Sequence, residues 1–368
     1  MKPSRGTPDF LLLFMTLVLV GFGIVMIFSA SYTISYWEMG NRWFFTQRQM
    51  IWGAIGLFGM LVTMNIPFVF YKNKFFLILM ASFFLLLLVF VPGLGQERNG
   101  ARSWIGIGSF TIQPAEFAKL GLIIYLAGLI SKKGEKMSSF KQGLLPALLI
   151  TGLFFILIAV QPDYGTAMIL LATAGIVMIV GGASLKQILY LSVPAIAILT
   201  IFILSASYRF ARFTAFLDPW SDPWDTSYQL IQSLLALGNG GIVGTGFGKG
   251  IQKYFYLPYP QSDFIFSVMG EELGFIGVTI FILAFLLLLW RILIISLRSK
   301  DAFGTLLGVG VVSLLAIQAF INIGGVTGTI PITGVPLPFI SAGGSSLIMV
   351  MTAIGVVLSL SRENNKSS

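Results

Sequence analysis

The sequence predicts an all-α polytopic membrane protein with ten transmembrane helices and both termini on the cytoplasmic side. Three observations predict it. The 368 residues are 56% hydrophobic and only 10% charged, against about 25% charged in soluble domains. Uncharged stretches of roughly 18 residues or more recur along the chain, the length at which an apolar run reads as a membrane helix. Lysine and arginine gather in alternate loops, as they do in cytoplasmic loops.

Taken in order, residues 10–30 form an uncharged run behind Lys2 and Arg5. The run is too long for a signal-peptide core, so it reads as a retained first span. Further spans are expected at 49–67, 75–92, 143–160, 164–182, 187–205, 264–290, 303–323 and 341–360. One more is needed between 112 and 131, where only residues 120–131 are free of charge. Those twelve residues rise about 18 Å, short of a hydrocarbon core roughly 30 Å thick. If the segment crosses, Glu116 and Lys119 lie within or at the edge of the bilayer, three apart on one helix face where they can pair. Such a pair is either a functional group or a structural one facing the bundle.

Lys72, Lys74, Lys132, Lys133, Lys136, Lys141, Lys186, Arg291, Arg298, Lys300, Arg362 and Lys366 fall in the loops on the side of the termini. That bias makes this side cytoplasmic. Residues 93–112 and 324–340 are then extracytoplasmic, as is a large loop at about 206–262 between the seventh and eighth spans. Residues 1–368 read as one transmembrane domain with no soluble module.

Composition narrows the chemistry. The chain has no cysteine and no histidine. That removes thiol chemistry, the commonest general base and the commonest metal ligand. Acid–base work falls to Asp, Glu, Lys or Tyr. The +9 net charge reports cytoplasmic lysines and arginines, not a nucleic-acid surface.

Charge concentrates in 207–273, with Arg209, Arg212, Lys249 and Asp263 among aromatic and glycine residues. Pro260-Gln261-Ser262-Asp263-Phe264 puts a carboxylate at a helix start, either as a plain N-cap or as a reactive group at the water boundary. Asp163, in Gln161-Pro162-Asp163, is a second outer carboxylate with the same two readings. In the preceding outer loop Arg102 can grip a phosphate in two-pronged fashion, and Trp104 is either an interfacial anchor or a ligand contact. Ser341-Ala342-Gly343-Gly344-Ser345-Ser346 lets backbone approach a ligand or a neighbouring helix. Gly238 to Lys249 is glycine-rich, but no Gly-Lys-Ser/Thr follows and no strand precedes it, so nucleotide binding is excluded. Cations, carboxylates and aromatics beside a membrane suit an anionic, sugar-bearing lipid.

Several segments together resemble the SEDS family (shape, elongation, division and sporulation proteins; FtsW, RodA and SpoVE), most of all the SpoVE/FtsW branch. They are Asn99-Gly100-Ala101-Arg102-Ser103-Trp104-Ile105, Gln113-Pro114-Ala115-Glu116, Gln161-Pro162-Asp163, Tyr228-Gln229-Leu230-Ile231-Gln232-Ser233, Pro260-Gln261-Ser262-Asp263-Phe264-Ile265-Phe266 and Gly270-Glu271-Glu272-Leu273-Gly274-Phe275. Ala342 stands where that family usually has Tyr, and Tyr164 where it has Leu.

The resemblance implies a multi-pass peptidoglycan glycosyltransferase of the bacterial cytoplasmic membrane. It would polymerise lipid II onto a growing glycan strand during division, elongation or sporulation. Its partners would be a class B penicillin-binding protein and other divisome or elongasome membrane proteins. Asp263 maps onto the family's essential aspartate and Trp104 onto its functional tryptophan. The expected substrate-binding set is Arg102, Trp104, Gln113, Glu116, Lys119, Asp163, Arg209, Arg212, Lys249, Ser262, Ser341, Gly343, Gly344 and Ser345. The leaving diphosphate is neutralised by the cations alone or with a divalent ion, which without histidine would be a hard, oxygen-held Mg²⁺ or Mn²⁺. The rival reading is a lipid II flippase, for which Glu116, Lys119 and Glu271 would form a polar path. A non-catalytic scaffold for division proteins is a third.

Overall fold

The structure, a computed structural model, describes residues 6–365 apart from 99, 108, 109, 191, 192, 194–215 and 226. Apolar sequence and sparse caps set the elements. Helix α1 (Phe10–Met39) begins where the Asp9 side chain accepts from the Leu12 amide. Helices α2 (Phe44–Asn65), α3 (Phe68–Asn73) and α4 (Phe75–Leu87) follow. Strands β1 (Gly95–Arg98), β2 (Ala101–Ile107) and β3 (Phe110–Ile112) make a small antiparallel sheet in the order β1-β2-β3. Trp104 is paired with Gln96, and the register shifts between Gln96 and Glu97. Helix α5 (Pro114–Lys133) starts on a proline, which fits the first helical turn. Then come α6 (Leu145–Ala159), α7 (Tyr164–Val180), α8 (Tyr228–Gly240), α9 (Ile265–Leu297), α10 (Ala302–Val326) and α11 (Gly344–Asn364).

Among the described residues six helical stretches are long and apolar enough to cross a membrane: Phe10–Met39, Pro114–Ser138, Phe140–Ala159, Ile265–Leu297, Ala302–Val326 and Gly344–Asn364. Phe75–Phe90 and Tyr164–Val180 are apolar but shorter. Most of the expected span at 187–205 lies outside the described residues, so the ten-span count is not read from them. The all-α expectation is corrected by the sheet: the stretch read as an outer loop closes on itself as strands. The large loop is also less of a loop than expected. Residues 228–240 are helical and bury Leu230, Ile231, Ser233 and Ala236.

The buried apolar residues form one cluster running from Leu12 to Leu360. Both ends of the described chain lie together. Asp9 holds Arg291 through both guanidinium edges, Nη2 at 2.6 Å and Nε at 3.1 Å, and Arg362 Nε donates to the Gly6 carbonyl. Helices α2, α5, α9 and α11 all begin at the opposite end of the bundle, and that end holds the candidate site.

Helix α9 is broken. Gly274 has φ 66° and ψ −171° inside it, and a Cβ there would lie 2.2 Å from the Gly244 amide nitrogen. The segment after α8 straps this break. Thr245 and Gly246 amides donate to the Glu271 and Glu272 carbonyls, while Phe275 and Ile276 amides donate to Gly241 and Ile242. Glu271 accepts from the Ile251 and Gln252 amides. Glu272 accepts from Lys253 Nζ at 2.6 Å, Ser29 Oγ and the Gly248 amide. Both carboxylates are fully buried, and the glycines of this segment let it pack against the broken helix.

Candidate active site

Four segments converge at the far end of the bundle. They are the start of α2, the β2–α5 connection, the 259–263 segment entering α9, and the 334–346 connection entering α11. Hydrogen bonds fix their mutual positions. Ser341 Oγ donates to the Ser262 carbonyl at 2.7 Å and accepts from the Leu337 amide at 2.8 Å. Asn322 Nδ2 bridges the carbonyls of Asp263 and Val335 at 2.8 and 2.7 Å. The Gln113 amide donates to Ser345 Oγ at 2.9 Å.

Between them lies a cleft of two chambers. One, of about 190 Å³, is lined by Trp104, Gln113, Glu116, Asp163, Thr166, Ser262, Asp263, Gly334, Val335, Pro336, Ala342, Gly343, Ser345 and Ser346. The other, of about 230 Å³, is lined by Phe45, Arg48, Gln49, Trp52, Trp104, Thr111, Tyr259, Gln261, Ser262, Ala342, Gly343 and Gly344. Trp104, Ser262, Ala342 and Gly343 belong to both. Close to this cleft two bulky residues take left-handed backbone, Tyr259 at φ 51° and Phe339 at φ 68°. Strain of that kind persists only where the surroundings enforce it, and it clusters at functional sites.

The two candidate aspartates behave differently. Asp163 caps α7, its Oδ1 accepting from the Thr166 amide, while Oδ2 takes Gln113 Nε2 at 2.5 Å. The plain capping reading holds there. Asp263 makes no capping bond to α9, whose N-cap is Phe264. Its Oδ1 accepts only from Ser262 Oγ at 3.2 Å among the described contacts. Burial pushes both carboxyls above the ordinary range. The Thr166 contacts counter that at Asp163, and the Ser262 hydroxyl counters it at Asp263. Asp263 is therefore a half-buried carboxylate in a cleft wall, not spent on holding its own helix.

Glu116 and Lys119 meet, Nζ to Oε1 at 2.8 Å, with side chains 3% and 1% exposed. Lys119 also donates to Gln318 Oε1, and Gln318 Nε2 donates to the Pro336 carbonyl and Ser346 Oγ. Glu116 Oε2 is buried with no partner among the described residues.

Of the expected site residues, Trp104, Gln113, Glu116, Asp163, Ser262, Asp263, Gly343, Gly344 and Ser345 line one chamber or both. Lys119 and Ser341 stand directly behind the lining. Arg102 does not reach it: its guanidinium turns back to the Val91 carbonyl at 3.3 Å and is exposed. Lys249 is exposed on the strap outside both chambers. Arg209 and Arg212 lie outside the described residues. The cation that does line the cleft is Arg48, with Gln49 next to it and Trp52 one turn along. Sequence reasoning passed over it, although its place at the outer end of an expected span was a usable signal.

Among the described residues no three acidic side chains converge closely enough to hold an ion. The described carboxylates thus form no closed cage for a divalent ion; one or two of them with a substrate's phosphate oxygens would be the donor set Mg²⁺ commonly takes.

Comparison with known proteins follows this geometry. The family model FTSW_RODA_SPOVE, described as "Cell cycle protein", matches residues 10–366. Stage V sporulation protein E of Bacillus subtilis (strain 168) is 44% identical over 362 residues, spanning 98% of this chain and 99% of that protein. A probable peptidoglycan glycosyltransferase FtsW of Geobacter sp. (strain M18) is 42% identical over 96% of each chain. Among solved structures, a chain from "Structural coordination of polymerization and crosslinking by a peptidoglycan synthase complex" superposes with TM-score 0.81 at 29% identity. The match covers 97% of this chain and 98% of that one. The rod shape determining protein RodA of Thermus thermophilus superposes with TM-score 0.71 at 29% identity, covering 97% of each chain.

Proposed function

The chain belongs to the cell cycle protein family of FtsW, RodA and SpoVE, and from that premise we infer that it is a peptidoglycan glycosyltransferase of a multi-pass membrane type. The observation that carries the mechanism is Asp263, a carboxylate in a cleft wall with its basicity raised by burial and no capping duty.

The reaction joins two lipid II molecules, or lipid II and a growing strand, at the outer face of the bacterial cytoplasmic membrane. Asp263 takes the proton from the acceptor's GlcNAc 4-hydroxyl. That oxygen forms a bond to the anomeric carbon of the donor, the bond from that carbon to phosphate oxygen breaks, and its electron pair leaves with undecaprenyl diphosphate. A positioned base supplies roughly 10²–10⁴-fold. The leaving diphosphate is neutralised by a cleft cation, with or without a divalent ion shared between a carboxylate and the diphosphate's own oxygens. Ten spans with both termini in the cytoplasm would place the cleft outside; the meeting of Gly6 with Arg362 supports the shared side of the termini. The flippase reading draws no support from Glu116 and Lys119, which pair with each other and Gln318.

A class B penicillin-binding protein is the partner this reading requires, and a relative in fold comes from a peptidoglycan synthase complex. Docking of its single helix through Gly308, Gly310, Gly355 and Ser359 does not fit the structure. Those positions are occupied internally, by Ser296, Ile123, Met60 and the Ile66 carbonyl. The open apolar groove runs along α9 instead, with Leu283, Leu286, Leu287, Trp290 and Leu293 facing Val312 of α10. That groove is where the helix docks in this proposal.

The test is polymerisation of labelled lipid II by purified full-length chain with its transpeptidase partner, wild type against Asp263→Asn. Loss of glycan chains with partner binding retained is expected. Near-normal chains from the variant would remove Asp263 from the role of base.

A further inference from the structure

We propose that the two chambers sort the two substrates by charge: the acidic chamber seats the acceptor sugar, and the aromatic, Arg48-bearing chamber seats the sugar-diphosphate end of the donor. This rests on the glycosyltransferase reading above and assigns its subsites.

Charge is the first ground. Glu116, Asp163 and Asp263 all line the smaller chamber; with Lys119 already paired to Glu116, a diphosphate there would still face two carboxyl groups and no cation in the lining. A neutral, hydroxyl-rich hexose meets no such repulsion. The larger chamber has no acidic residue in its lining and carries Arg48, whose planar guanidinium matches phosphate oxygens. Trp52, Trp104 and Tyr259 give the same chamber flat apolar faces for a pyranose ring.

Unsatisfied acceptors are the second ground. Glu116 is 2% exposed, one of its oxygens holds Lys119, and the other has no partner among the described residues. A buried acceptor left empty costs the desolvation of that atom, and a sugar hydroxyl or acetamido N–H supplies the missing donor. Gln261 Oε1, buried and unpartnered in the other chamber, offers one acceptor to a hydroxyl of the donor sugar.

The shared wall is the third ground. Of the two chambers Asp263 lines the acidic one, and it is hydrogen-bonded to Ser262, which lines both. A proton removed on one side of that wall frees an oxygen that attacks across it. A base lodged among acceptor hydroxyls, one residue from the donor chamber, is the arrangement a direct displacement needs.

The experiment separates the two roles of lipid II. A donor-only analogue lacks the terminal GlcNAc 4-hydroxyl; an acceptor-only analogue has a methylene in place of its anomeric oxygen. Full-length chain with its transpeptidase partner is given both, and the single coupled product is measured while each analogue is varied in turn. Arg48→Gln should raise KM for the donor-only analogue by roughly tenfold, the loss of one charged hydrogen bond, with acceptor KM unchanged. Arg48→Lys should recover part of that loss. The double variant Glu116→Gln, Lys119→Met avoids stranding a buried ammonium and should raise acceptor KM with donor KM unchanged. Thermal unfolding of each variant identifies any that is misfolded, and for the acidic chamber Asp163→Asn then provides the same acceptor readout. Shifts in the opposite KM, or equal shifts in both, overturn the assignment. Absence of product from the wild type overturns the glycosyltransferase reading, and this inference with it.

Discussion

Lys253→Met removes the cation paired with a fully buried carboxylate, its only one among the described residues. Lys253 Nζ lies 2.6 Å from Glu272 Oε1, with side chains 1% and 0% exposed, and 3.1 Å from Ser29 Oγ. After substitution Glu272 keeps Ser29 Oγ and the Gly248 amide, two neutral donors against a full charge. Breaking a buried pair from one side costs about 3–5 kcal/mol. Glu272→Leu strands the ammonium and should cost a similar amount. The double variant Lys253→Met, Glu272→Leu removes both charges and leaves the Ser29 and Gly248 donors unmet, about 1–3 kcal/mol. The double should thus be more stable than either single variant, with an interaction energy well above the roughly 0.5 kcal/mol that separates coupled from independent sites. Equilibrium unfolding in mixed micelles measures all four corners of the cycle, and hydrogen exchange of residues 244–253 reports the strap directly. A Lys253→Met protein within about 1 kcal/mol of wild type, or additive singles, would refute the claim that this pair holds the strap to α9.

Four further outcomes follow from the site and the groove. Burial raises the Asp263 carboxyl above its ordinary 3.8, so coupling should fail on acidification at a higher pH than an exposed carboxylate would dictate; an acid limb at the ordinary value sinks the base assignment. The same shift fixes a sign for stability. A raised acid binds its proton more tightly folded than unfolded, so stability is lost as pH rises from 3.8 through the raised value. Asp263→Asn should therefore resist unfolding at neutral pH at least as well as wild type, and easier unfolding would contradict it. Gly344→Val should abolish polymerisation, because a Cβ there lies 2.5 Å from the Trp52 ring; undiminished synthesis would show that the chamber wall yields. Trp290→Ala, on the α9 groove, should reduce copurification of the transpeptidase without altering unfolding, and unchanged copurification would move the docking site elsewhere.

What sequence made legible was local. Glu116 and Lys119 are three apart on one helix, and that spacing alone implied their pairing. Asp163 sits where a cap belongs and caps. Asp263 shares that sequence position but does not cap, and no local rule distinguishes the two; the difference comes from Ser262, Asn322 and the 334–341 connection packing around it. Lys253 and Glu272 belong to separate segments, and only the path of the strap brings them together. The sheet did leave a trace, since Asn99-Gly100 is a strong hairpin signal that the reading of a membrane loop overrode. Small residues on α10 and α11 do not reveal their role in sequence, because they serve self-packing and partner packing equally well. In helices apolar on every side, sequence does not say which side faces lipid.

The break at Gly274 divides α9 into two parts with different duties. Residues 265–273 follow directly from Asp263, and 275–297 carry the open groove with Leu283, Leu287 and Trp290. A continuous helix would behave as a rod, passing any roll or tilt at the groove straight to the carboxylate. With the rod cut, load travels through the backbone bonds that Gly241, Ile242, Thr245 and Gly246 make on either side of the cut. The joint works like a universal coupling, with its compliance set by the strap and its anchor at Lys253. The two halves can therefore be tuned separately, one for chemistry and one for company, by changes that never touch either surface.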